Sequence, residues 1–404
     1  MSLPTRWKEQ IDSSDPAMEI MELQMGPSHP AAHGTIKFNL KLDGERIADC
    51  DVEIGYLHRG FEKMCEQGTW TQCFPYTDRL NYASPCINNV GFALAVEKLL
   101  DVEVPERCKY LRVIMSEVSR ITDHLTCLGM ASGEVGAQTV MMYTMEAREP
   151  LYDLVEAVTG ARLTVTWCRV GGVTHDLPED FNDRLKRSFK QLDAVLSDCD
   201  TLLSRNRVFI DRMSGVGVMS REDAISYGIT GPLLRATGVP HDLRKADPYL
   251  VYDRFNFDVP TGERGDNYDR FQMRFREIYE SRRIIEQAVR ELPAGPIEID
   301  DPKVVLPPKQ RVYESIEGLM NHFKLIMEGI KVPAGEVYHA IEAANGELGF
   351  YIVSDGSGRP YRVRVRPPCF FAMGALNKML IGHMIPDIIT TFGMINMIGG
   401  ECDR

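Results

Sequence analysis

Closely spaced cysteine pairs are missing. The ten cysteines fall at positions 50, 65, 73, 86, 108, 127, 168, 199, 369 and 402, and no two are separated by only two residues. The CxxC arrangement that serves zinc, iron–sulfur and thiol redox chemistry is therefore absent. No apolar h-region follows the start Met1-Ser2-Leu3-Pro4-Thr5-Arg6-Trp7, so no secretory signal is expected and reduced thiols are the simpler expectation. The most apolar stretch, 379–400, is interrupted by His383, Pro386 and Asp387. It is too short and glycine-broken for a spanning helix and reads as a buried segment. Positive charge is in deficit: 46 Lys and Arg stand against 58 Asp and Glu, a net charge of −12. That balance disfavours nucleic-acid binding and adsorption to an anionic membrane surface. Internal repeats and low-complexity tracts are not visible. Gly262-Glu263-Arg264-Gly265-Asp266 lacks the Lys-Ser/Thr that a phosphate loop requires.

What is present is an ordinary globular composition, 44% hydrophobic and 26% charged over 404 residues, enough to bury a large core in one unit or in two to three domains. From Thr35, the residues Ile36, Phe38, Leu40 and Leu42 alternate with polar ones, Asp43-Gly44 makes a turn, and Ile47, Val52 and Ile54 return. This predicts a hairpin. Helices follow: one from Pro105-Glu106 to about Gly129 with a buried stripe from Leu111 to Leu128, then 135–158 kinked or split at Pro150, 178–205, 267–292 and about 309–329. Leu348, Phe350, Ile352 and Tyr361, Val363, Val365 alternate around a Ser-Asp-Gly-Ser-Gly turn, a second hairpin. The class is α+β. The expected division is an N-terminal arm (1–24), a β-rich region (25–75), a central helical region (76–300) and a C-terminal α/β region (301–404), forming one structural unit. Prolines at 293, 296, 307 and 308 bracket the best linker. The two β-rich ends are expected to pack together.

Four places can carry chemistry. In Gly26-Pro27-Ser28-His29-Pro30-Ala31-Ala32-His33-Gly34, two imidazoles lie four residues apart. Pro30 biases His29 toward extended backbone, so this is a rigid turn before a strand and not a two-His helix face. Such a turn suits proton handling or polar-ligand binding; the plain alternative is two histidines satisfying a tight turn. Pro75-Tyr76-Thr77-Asp78-Arg79-Leu80-Asn81-Tyr82 gathers two phenols, a carboxylate and a guanidinium just before an apolar helix. A phenol there can donate to a carbonyl; the alternative is a capping cluster. Glu134 in Gly133-Glu134-Val135-Gly136 reads as a carboxylate at a helix start, commonly just a dipole partner. Arg59 to Glu62 is an Arg held in a turn, in the simplest case a solvated ion pair. The remaining histidines, isolated in sequence, read as structural.

Together these runs, with Ile-Gly-Tyr-Leu-His-Arg-Gly-Phe-Glu-Lys (54–63), Tyr-Thr-Asp-Arg-Leu-Asn-Tyr (76–82), Phe-Asp-Val-Pro-Thr-Gly-Glu-Arg-Gly-Asp (257–266), Gly-Glu-Leu-Gly-Phe-Tyr-Ile-Val-Ser-Asp-Gly (346–356) and the final Gly-Glu-Cys-Asp-Arg, resemble one family along nearly the whole chain. It is the D-type, 49-kDa, quinone-site subunit of respiratory complex I, NADH:quinone oxidoreductase. The family is similar in fold to the large subunit of nickel–iron hydrogenases, whose metal is held by two CxxC pairs. Lone Cys73 and lone Cys402 cannot supply four thiolates, so the resemblance implies a former metal cavity reused for quinone. By position it implies that Tyr82 and His33 hold the quinone headgroup, with His29 nearby. An imidazole titrates near 6.5 and a phenol near 10, so His33 is the expected proton source and Tyr82 mainly a positioned donor. The resemblance further implies no cofactor bound by this chain alone and electrons from a 4Fe–4S cluster on the adjoining B-type subunit, with Arg59 and Arg79 near it. It implies partners of the B, C, I and membrane H types, proton translocation, and a peripheral place on the cytoplasmic side of the bacterial inner membrane.

Two positions depart from the family pattern. Glu134 stands where an Asp usually pairs with the catalytic His, so a His33–Glu134 pair is expected with a carboxylate one methylene longer. Thr164, in Gly160-Ala161-Arg162-Leu163-Thr164, stands where relatives often have a His beside the terminal cluster. Two other readings stay open: a hydrogenase-type large subunit of a membrane-bound ferredoxin- or H2-linked complex, and a structural scaffold that has lost the site. The missing CxxC pairs argue against the first, and the presence of His33 and Tyr82 against the second.

Overall fold

The computed structural model describes residues 20–33 and 35–404. Strands β1 (Ile20–Met25), β2 (Lys37–Asp43) and β3 (Arg46–Glu53) form an antiparallel sheet in that order. Phe38, Leu40, Leu42 and Ile47 are buried on one face, as their alternation requires. β1 corrects the expectation of an arm through residue 24. As an edge strand it buries little besides Met25, so its sequence carries no clean two-residue period. Residues 1–19, the rest of that arm, lie outside the described residues.

The middle is helical: α1 (Phe61–Gln67), α2 (Phe74–Asp78), α3 (Pro85–Leu100), α4 (Glu106–Glu134), α5 (Gln138–Thr159), α6 (Phe181–Cys199), α7 (Arg207–Met213), α8 (Arg221–Ser226), α9 (Gly231–Ala236), α10 (Leu243–Ala246) and α11 (Asn267–Arg290). α4 packs against α3, α5 and α11. Being enclosed on all sides, it buries more than the expected apolar stripe; Arg112, Glu117, Arg120, Asp123 and His124 are inside too. Charges in such a place must be paired. Glu117 contacts Arg120 and Arg244, while Arg235 contacts Glu277 and Glu342. α4 also runs a turn further than expected, so Glu134 sits at its C-terminal end and not at a helix start.

Pro150 neither splits nor ends α5. A proline has no N–H for the carbonyl four residues back; here that carbonyl, Glu146 O, lies 3.4 Å from the donating Nε2 of Gln191 on α6. The expected helix at 309–329 is two, α12 (Lys309–Glu314) and α13 (Ile316–Met327), because the Ser315 hydroxyl accepts from Gly318 N at 3.0 Å and starts a new helix.

A short pair, β4 (Cys168–Arg169) and β5 (Gly172–Val173), precedes a second antiparallel sheet of β6 (Gly335–Ala343), β7 (Gly346–Ser354) and β8 (Arg362–Arg366). The β7–β8 pairing is the expected hairpin, and β6 extends it. The chain closes with α14 (Pro368–Leu380), α15 (Ile385–Ile395) and α16 (Gly399–Asp403); the apolar 379–400 stretch is buried at 379–380 and 390–400, while Gly382, Met384 and Pro386 between them are exposed. The two sheets do not pair with each other. The N-terminal sheet meets α14 and the turn before α15, where Ile47 N donates to His383 O and Gly382 N to Ile47 O. The C-terminal sheet lies on α3 and α1, and α14 touches both sheets. Among the described residues, no helix is long and apolar enough to cross a membrane.

Candidate functional site

His33 leaves the short turn Pro30–Ala32 with φ 49°, its N–H donating to Pro30 O at 3.2 Å. The turn thus aims the imidazole inward. Its Nε2 lies 2.8 Å from Glu134 Oε1, the pairing expected from the sequence, reached across 101 residues. The ring also packs on Phe392 of α15, centroids 4.7 Å apart. The second carboxylate oxygen, Glu134 Oε2, is buried and has no hydrogen-bond partner among the described residues. His29 is exposed at the start of the turn and is not brought onto Glu134.

Tyr82 lies on the turn between α2 and α3, 43% exposed. Its neighbour Asn81 is the anchor. Asn81 Oδ1 accepts from Ala83 N, and its Nδ2 donates to Asp123 Oδ2 of α4 at 2.7 Å. Burial raises the Tyr82 phenol's pKa, as do Cys369 and Asp123 nearby, so at neutral pH Tyr82 is a hydrogen-bond donor. Asp123 Oδ1 accepts from Asn396 Nδ2 at 2.6 Å.

One seam links the two ends. On α4, Asp123 supports the Tyr82 turn and Glu134 pairs with His33. Along and just past α15, Phe392 backs His33 and Asn396 reaches Asp123. Eleven residues of α4 separate the two carboxylates, about 16 Å of helix rise. The sequence reading missed Asp123, Phe392 and Asn396, because nothing in their local pattern distinguishes them from ordinary core and cap positions.

Arg59 and Arg79 are joined to each other. Arg59 Nη2 donates to Arg79 O at 2.6 Å, and Arg79 Nη1 to Pro75 O at 2.7 Å. Burial lowers the Arg59 pKa, with Arg79 adding to it and Asp403 opposing. Arg59 is nonetheless exposed and donates to a backbone carbonyl, whereas Glu62 pairs with Arg362, Arg364 and Arg404. The loop ahead of Arg59 is held by Asp403, whose carboxylate accepts from Gly55 N at 3.0 Å and Leu57 N at 2.7 Å. Gly400 packs on the Arg79 and Leu80 carbonyls, where a Cβ would collide. Asp78 is buried and caps no helix: Thr166 donates to it through both N–H (3.0 Å) and hydroxyl, and Asn89 through Nδ2 at 2.7 Å. It thereby ties the loop bearing half-buried Thr164 to the residue next to Arg79. Cys73 and Cys402 lie in different hydrophobic cores.

The comparisons with known proteins point to one family. A family described as respiratory-chain NADH dehydrogenase, 49 Kd subunit, matches residues 134–404. The chain is 59% identical to a D-type subunit of the NADH-quinone oxidoreductase of Sorangium cellulosum, covering 96% of each chain. It is 56% identical to the D-type subunit of Myxococcus xanthus, over 95% of this chain and 92% of that one. Against the D-type subunit of Pelobacter propionicus it is 50% identical over 95% of both. Identity this high over nearly the full length of both chains places the chain in the 49 kDa subunit family of respiratory-chain NADH dehydrogenase, as a subunit of an oxidoreductase complex.

Proposed function

We propose that this subunit forms the headgroup end of a quinone chamber, with His33 and Tyr82 as the donors to the two quinone oxygens. The observation that carries the reading is the shared α4–α15 support. His33 and Tyr82 come from loops far apart in sequence, yet His33 pairs with Glu134 of α4 and the Tyr82 turn is anchored to Asp123 of the same helix through Asn81. Two-electron reduction builds negative charge on those oxygens, and donors already in place stabilise it. His33, held by Glu134, supplies a proton; Tyr82, the weaker acid, orients the other oxygen through its O–H.

The 4Fe–4S cluster of the adjoining B-type subunit supplies electrons when the complex is assembled. This chain's contribution there is Arg59 and Arg79, linked to each other and braced by Asp403 and Gly400, with Thr164 on the loop tied to Asp78. A fixed positive charge beside such a cluster favours its reduced form. In this reading the C-, I- and H-type subunits complete the surroundings, and the chain is peripheral on the cytoplasmic side of the inner membrane. Loop movement around His33 on quinone reduction is the form in which the chamber would act on proton translocation.

The test is Tyr82→Phe in the assembled complex. Loss of one preplaced donor lowers quinone reduction by about 10²-fold, with electron entry into the clusters unchanged. Unaltered quinone reduction would favour the scaffold reading instead.

A further inference from the structure

We propose that Arg274 is a positioning residue for Tyr82: a buried guanidinium that holds the Tyr82 turn through Asn345, Asn396, Asp123 and Asn81. This rests on the chamber reading above and goes beyond it by naming the charge that keeps one of the two donors in place.

Arg274 lies on α11 and is fully buried. A guanidinium in such a place needs acceptors and a counter-charge. Among the described residues, the groups it bonds are neutral. Nη1 donates to Asn345 Oδ1, on the β6–β7 turn, at 3.1 Å and lies 3.4 Å from His124 Nδ1; Nη2 donates to Ile395 O at 3.2 Å. His124 is itself fully buried, with Nε2 2.9 Å from Glu277 Oε2. Burial lowers its pKa against the pull of Glu277, so the ring is neutral. The carboxylate at Nε2 takes the ring hydrogen there, which leaves the Nδ1 lone pair to accept from Arg274.

Asp123 on α4 is the mirror case. It is fully buried, and its two oxygens accept from neutral amides, Asn81 Nδ2 at 2.7 Å and Asn396 Nδ2 at 2.6 Å. The opposite charges meet through one amide nitrogen and one amide oxygen. Asn396 Nδ2 carries two hydrogens: one goes to Asp123, the other to Asn345 Oδ1 at 2.8 Å, the same oxygen that accepts from Arg274. Hydrogen bonds in such a chain polarise one another in the same sense, so the two charges stabilise each other without touching. Asn345 Nδ2 returns a bond to Asn396 O at 3.2 Å, and the Arg274 bond to Ile395 O fixes the residue before it. Asn396 fits here because it closes α15 in the left-handed region, φ 57°, which asparagine tolerates.

The far end of this chain is the Tyr82 turn. Asn81 is the residue before Tyr82, and its own carbonyl accepts from Asn88 Nδ2 of α3 at 2.9 Å. The turn is thus clamped between α3 and Asp123. A weakened Arg274 link leaves Asp123 as a buried anion without its counter-charge, and the partly exposed Tyr82 turn is the element free to shift in response.

Arg274→Lys in the assembled complex keeps the charge but presents one nitrogen where arginine uses two. Quinone reduction should fall by roughly ten- to 10²-fold, the scale of a donor misplaced by up to about 1 Å, with electron entry into the clusters unchanged. The same substitution in a Tyr82→Phe background, where the hydroxyl to be positioned is already gone, should cost far less, its ratio falling toward one. A residue that only supports the fold lowers both backgrounds alike, so equal losses overturn the proposal. Should Arg274→Lys not assemble, Asn81→Ala tests the same route from its other end without touching a charge. It should reproduce the loss and its dependence on the Tyr82 hydroxyl, and full activity in Asn81→Ala overturns the route. Tyr82→Phe with full activity defeats the chamber reading itself; an impaired Tyr82→Phe beside an unaffected Arg274→Lys defeats only the role given to Arg274.

Discussion

Gly393 lies so close to Glu134 that a Cβ on it would fall inside the contact distance of Glu134 Oε2. The glycine on α15 thus shapes the slot that holds the carboxylate against His33. Gly393→Ala should force Glu134 to shift, at an overpacking cost of about 1–3 kcal/mol. A displacement of about 1 Å at a proton donor's partner lowers quinone reduction by about 10²-fold. Pairing Gly393→Ala with Glu134→Asp, which shortens the carboxylate, should restore part of the activity. Strictly additive effects in that double-mutant cycle would show that the contact is not what matters.

The His33–Glu134 hydrogen bond gives a second expectation. Glu134→Gln preserves length and shape but removes the charge opposite the imidazole. A hydrogen bond to a charged group is worth about 1.5–3 kcal/mol against about 1 for a neutral one. The difference amounts to about tenfold in quinone reduction. His33→Gln, which removes the proposed proton source itself, should cost more. Steady-state assays on membranes carrying each variant compare them, and equal losses would count against a supporting role for Glu134.

Much of this arrangement was legible in the residues, and the exceptions have physical causes. Alternation from Ile36 to Leu42 and from Leu348 to Ile352 marked the strands because each buries one face. β1 was illegible because an edge strand need not alternate, and the break at Ser315 because a cap needs only one hydroxyl. His33, Glu134 and Tyr82 stood out through their motifs. Their supports did not. Asp123, Asn396 and Gly393 act across more than 250 residues of chain separation between α4 and α15, and Asp403 holds Gly55 and Leu57 from the other end of the sequence. A local pattern cannot carry such pairings.

Inside α4, Glu117 provides a stability test. Burial would raise its pKa, but Arg120 and Arg244 outweigh that and hold it at about 2. An unfolded glutamate titrates near 4.3. The depressed value contributes stability on the order of 3 kcal/mol, fully present above about pH 4.3 and lost as pH falls toward about 2. Glu117→Gln leaves buried guanidinium charge uncompensated and should destabilise the fold by about 3–5 kcal/mol at neutral pH. Thermal melting should then drop at pH 7, while the variant loses less than wild type on acidification. A variant with unchanged acid sensitivity would place the titration elsewhere.

In the proposed reading, Thr164 bears on the partner's cluster. A threonine can donate a hydrogen bond but does not titrate, whereas a histidine at the same place gains a charge near pH 6.5. The Asp78–Thr166 contacts tie this loop to the residue next to Arg79. The cluster potential in complexes containing this subunit should therefore vary only weakly between about pH 6 and 8, and Thr164→His should introduce a steeper slope across the histidine range. Asp78→Asn in the Thr164→His background should weaken that slope by loosening the loop. Redox titrations followed by the cluster's paramagnetic signal read all three. A wild-type slope as steep as that of Thr164→His would mean that another titrating group governs the cluster.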